Sequence, residues 1–128
     1  MKKLLIFLVT LTGLAAVPAM AELRVFACEP EWGALARELG GDRVAVYVAT
    51  NALQDPHRIE ARPSLLAQAR RADLVVCTGV ELEAGWLPIV LRQSGNNAVQ
   101  PGKPGYFEAA NYVPKLEVPA RLDRAEGD

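Results

Sequence analysis

Few side chains in this sequence could do chemistry. His57 is the only histidine, and Cys28 and Cys77 are the only cysteines. A neutral imidazole is the commonest metal ligand and also a general base. His57 follows Asp55-Pro56; the proline fixes its own φ and pushes the preceding residue out of the α region, so the imidazole is presented from an ordered loop. A lone loop histidine is commonly just a solvated side chain. As a metal ligand it would need an acceptor to orient its second ring nitrogen. Glu60 and Asp55 are the candidates, and Asp55 could equally cap the turn.

The two cysteines admit three readings: a disulfide, buried free thiols, or thiolates that bind metal or react. In an exported chain a cysteine pair is first a disulfide candidate, and no Cys-x-x-Cys spacing favours the last reading. An exported enzyme would use Cys77 or Cys28 as nucleophile with His57 as base. Against it, no glycine-flanked nucleophile turn and no third member of a triad is visible.

These residues need a scaffold, and the periodicities supply one. Residues 23–28 read as a strand. Trp32, Leu35, Ala36 and Leu39 recur at helical spacing before Gly40-Gly41, which predicts a helix over 30–39. Residues 44–49 form a second strand, whose end releases the His57 loop. Pro63 opens a helix with Leu65, Leu66, Ala69 and Ala72 on one stripe. Residues 74–77 are continuously apolar, as in a parallel strand covered on both faces, and Thr78-Gly79 ends them. A further helix should start near Trp86, with Trp86, Ile89, Val90 and Gln93 on one face. Trp32 and Trp86 read as core, Glu81 and Glu83 as a solvated rim. Tyr106-Phe107 and Tyr112-Val113 take no assignment, and residues 122–128 show no periodicity.

Alternating strands and helices predict an α/β fold, a parallel sheet with flanking helices and right-handed crossovers. Ligands bind such sheets outside the carboxyl ends of the strands. Cys28, the His57 loop and Cys77 all fall at that edge, with Cys28 and Cys77 on neighbouring strands in the usual 2-1-3 order.

Residues 1–21 have the form of a secretory signal peptide: Lys2-Lys3, an apolar stretch, then Ala19-Met20-Ala21. Taking the two leader lysines from the 14 basic residues leaves 12 against 15 acidic, a net charge of −3. That mild acidity gives no basic cluster for nucleic acid or an anionic membrane surface.

Asp55-Pro56-His57, Glu60, Pro63-Ser64, a short helix, Ala72-Asp73-Leu74-Val75-Val76, the Gly79 turn, Leu82-Glu83 and Trp86-Leu87 follow one another in an order and spacing that resembles the periplasmic zinc- and manganese-binding solute-binding proteins of metal ABC transporters. The resemblance implies a binding protein rather than an enzyme, with His57 as the first metal ligand, zinc favoured over manganese, and a membrane permease as partner. It implies two lobes with the metal between them, of which residues 22–128 would be the N-terminal lobe of a truncated chain. The remaining ligands, further histidines or a glutamate and an aspartate, would then lie beyond residue 128.

Overall fold

The computed structural model describes residues 21–116. The leader expected over residues 1–21 lies outside the described residues except for Ala21, and so does the aperiodic stretch 122–128. Four strands and three helices alternate: β1 (Leu23–Ala27), α1 (Pro30–Gly40), β2 (Val44–Val48), α2 (Pro63–Arg71), β3 (Leu74–Cys77), α3 (Leu87–Ser94) and β4 (Tyr106–Glu108). The sheet order is β2-β1-β3-β4 and every pairing is parallel. The expected 2-1-3 order is therefore present, and Tyr106-Phe107, unassigned from the sequence, adds a fourth strand beside β3.

The register divides the side chains between two faces, because alternate residues of a strand point to opposite sides. Tyr47, Phe26, Val75 and Tyr106 lie in one row across the sheet. This row packs with Leu65 and Ala69 of α2 and Leu87, Val90 and Leu91 of α3 in the main core. Helix α1 packs on the strands β1 and β2. Helices thus flank the sheet as expected, each opened by a proline in its first turn, where a missing N–H is harmless.

Three expectations change. The α1 stripe is not core: Leu35 is 47% and Leu39 74% exposed, and with Leu23, Val44 and Phe107 they line an apolar groove of about 380 Å³. Because α1 sits over β1 and β2, β3 is sealed on one face only; Val75 and Cys77 are buried while Leu74 and Val76 are half-buried. Third, the helix after Trp86 buries Leu87, Val90, Leu91 and Ser94 and leaves Ile89 and Gln93 outside. Trp86 is instead the residue before that helix, with φ −138° and ψ −40°, and is fully buried. Leu87, Val90, Leu91 and Ser94 follow at i, i+3, i+4 and i+7, so the core takes the stripe neighbouring the one expected.

Candidate metal-binding rim

The carboxyl ends of β1, β2 and β3 meet at one rim. Thr50 Oγ1 donates to the Cys28 carbonyl at 2.8 Å, tying the chain after β2 back to the end of β1. Beyond it, Pro56–Arg58 forms a single 3-10 turn that begins at Asp55. The Asp55 carboxylate caps this turn, accepting the His57 backbone N–H at 3.0 Å, and the same oxygen lies 2.9 Å from His57 Nδ1. Its other oxygen is 3.4 Å from Arg58 Nε. The ring and backbone hydrogen bonds from His57 hold the Asp55 carboxyl below the usual carboxylate range.

An Nδ1 that donates to a carboxylate leaves the lone pair on Nε2. Nε2 has no hydrogen-bond partner among the described residues, and the His57 side chain is 63% exposed. Asp55 therefore makes both contacts considered for it, the cap and the ring. The Glu60 side chain makes no hydrogen bond among the described residues and is exposed; its carbonyl accepts from Arg62 N–H.

The turn rests on a seat that the sequence reading did not identify. The buried Trp86 indole N–H donates to the Pro56 carbonyl at 2.9 Å. Next to it, a Cβ at Gly85 would stand 2.8 Å from the His57 carbonyl oxygen, so only glycine allows this approach. Trp86 in turn packs near Phe26, ring centroids 6.5 Å apart. The imidazole is thereby fixed to the sheet through two backbone contacts.

Deeper in the rim, Cys28 and Cys77 are joined in a disulfide with Cα atoms 4.9 Å apart. Beside it lie two buried acids. Glu29 is 2% and Glu83 3% exposed. Glu83 was expected on a solvated rim; it is buried because Thr78 N–H, at 2.8 Å, and Gly79 N–H, at 3.0 Å, donate to its carboxylate where β3 ends and its amides lack strand partners. This bonding holds an unusual turn: Gly79, Val80 and Glu81 all have positive φ, at 83°, 53° and 67°. Thr78 Oγ1 donates to Glu29 at 3.1 Å and accepts from the Trp32 indole at 2.8 Å. The second Glu29 oxygen, Oε1, is buried with no hydrogen-bond partner among the described residues. Burial first, and then the Glu83 charge, push the Glu29 carboxyl up to about 8. Nothing local in the sequence marks this pair beyond the adjacency of Glu29 to Cys28.

Among the described residues one sulfur-and-oxygen cluster results: Cys28, Cys77 and Glu83 bring ligand atoms within 4.8 Å of one another, and His57 is not among them.

A parallel α/β lobe that holds one imidazole outward at its carboxyl-end rim, ring nitrogen fixed by a carboxylate, has the form of a ligand-binding receptor. A family model described as zinc-uptake complex component A, periplasmic, matches residues 25–126. The chain belongs to this family. Its members are binding proteins, so the thiol enzyme considered from the sequence falls away; both sulfurs are in any case engaged in the disulfide. A high-affinity zinc uptake system protein ZnuA from Paracoccus denitrificans is 38% identical over 76 residues, 59% of this chain and 23% of that protein. A crystal structure of ZnuA superposes with a TM-score of 0.53 at 28% identity, over 59% of this chain and 28% of that one. An Mn-bound periplasmic metal binding protein from Candidatus Liberibacter asiaticus shares the fold, with a TM-score of 0.51 at 21% identity over 55% of this chain and 26% of that one. The chain thus spans about a quarter of the length of these relatives.

Proposed function

We propose that residues 22–128 form the N-terminal lobe of a periplasmic receptor, exported by the leader over residues 1–21, that captures a divalent transition metal through His57 and passes it to the permease of an ABC transporter. The observation that carries this reading is the pairing of Asp55 with His57 Nδ1 at 2.9 Å, which presents Nε2 as a donor on an exposed, backbone-anchored turn. Imidazole suits zinc better than manganese, which favours oxygen ligands, so zinc is the preferred cargo. The printed name of the Paracoccus relative, a zinc uptake protein, points the same way.

Zinc takes about four donors at a closed site, and a single imidazole supplies one. The chain by itself should therefore bind zinc weakly, and locally. Titrating zinc into the nitrogen-15-labelled chain should shift the His57 ring resonances first, with small changes along residues 55–58. His57→Ala should abolish this response and leave the rest of the spectrum in place. Zinc-induced shifts centred away from His57 would refute the reading.

A further inference from the structure

We propose that Cys28, Cys77, Glu83 and Glu29 form a second, redox-gated site for a thiophilic divalent cation such as zinc, closed while the disulfide stands and opened when a dithiol reductant cleaves it. Three of the four donors are already assembled. The two sulfurs and a Glu83 oxygen lie within 4.8 Å of one another. Zinc held at about 2.3 Å from sulfur and about 2.0 Å from oxygen needs its donors roughly 3.5–4 Å apart, so parting the sulfurs is the main movement required. The backbone is held without the disulfide: the ladder between β1 and β3 runs up to the bridge, with Cys28 N–H donating to the Val76 carbonyl at 2.9 Å.

Glu29 supplies an independent indication. Its Oε1 is buried and has no hydrogen-bond partner among the described residues, and its carboxyl meets that of Glu83 at Thr78, whose hydroxyl donates to Glu29 and whose N–H donates to Glu83. A buried carboxylate oxygen left without a partner is costly, and a cation held beside it would satisfy it. With two thiolates added, the set becomes two sulfurs and two oxygens, a composition that suits zinc.

The chemistry balances simply. A dithiol gives two electrons and two protons to the sulfur–sulfur bond and becomes a disulfide itself, leaving Cys28 and Cys77 as thiols. Metal binding then releases both thiol protons to solvent. This site owes nothing to His57, so either proposal can fail alone.

The test uses the chain carrying His57→Ala. It is reduced without oxygen by a water-soluble phosphine, which takes the oxygen of water as the disulfide becomes two thiols, and is titrated with cobalt(II). The reduced protein should develop a thiolate-to-cobalt charge-transfer band saturating at a single equivalent and bleached by zinc, and the oxidised protein none. Glu83→Gln and Glu29→Gln should each weaken cobalt binding by about tenfold or more, with far-UV circular dichroism confirming the fold. No band in folded reduced protein would overturn the proposal. So would a band that both glutamine variants leave unchanged, or a reduced chain that unfolds and is not refolded by cobalt.

Discussion

At the scale of single residues, one oxygen of Asp55 does two jobs, closing the 3-10 turn and fixing the His57 ring. Asp55→Asn keeps an acceptor for the turn but loses the charge that makes the imidazole a better donor. Zinc affinity at His57 should fall by about tenfold in a chelator competition while the thermal midpoint hardly moves. Glu29 gives a prediction of opposite character. Its carboxyl has an ordinary value of 4.5 and is pushed up to about 8 in the fold. Between those values the folded chain holds a proton that the unfolded chain has released, so stability is full below about 4.5, declines as pH rises, and levels off above about 8. Glu29→Gln should flatten this slope, making the variant more stable than the parent near pH 9 by an amount on the order of a few kcal/mol. Equal pH slopes in chemical denaturation of the two proteins would contradict it.

At the scale of elements, the turn after β3 stores strain. Val80 is β-branched and sits at φ 53°, where a side chain costs about 1–2 kcal/mol, whereas glycine would lose part of that gain to its freer unfolded state. Val80→Gly should therefore stabilise the chain by up to about 1 kcal/mol, read from the urea midpoint. Gly85→Ala should do the reverse and loosen the His57 turn, seen as faster proteolysis there. The contrast between these positions shows where sequence reading succeeds. β1, β2, β3 and α2 were legible because apolar runs or stripes are bounded by glycine and proline. β4 was not, since Tyr106–Glu108 is three residues long and pairs only at the sheet edge. The α1 stripe was legible as helix, but periodicity reports an apolar face without naming what covers it. His57 and its Asp55 partner could be read from Asp-Pro-His, whereas the burial of Glu83 depends on strand-end amides that only the folded chain brings to it.

At the scale of the whole molecule, the disulfide links residues 49 apart in sequence and pins the rim shared by both candidate sites. Closing a loop of that size removes unfolded-state freedom worth about 4 kcal/mol in the chain-entropy model, so reduction in the absence of metal should lower the thermal midpoint markedly. Added zinc should recover part of that loss if the buried site opens as proposed. The sheet order carries one more consequence. β1 is the first strand made yet lies between β2 and β3, while among the described residues β2 and β4 each keep one open edge. In deuterated water the amides of Val25, Phe26 and Ala27 are each bonded to one neighbouring strand and walled in by the other, so their exchange should report opening of the sheet centre. The outer-edge amides of β2 and β4 should exchange earlier through local fluctuations, which makes the first strand to be made the last to forget its protons.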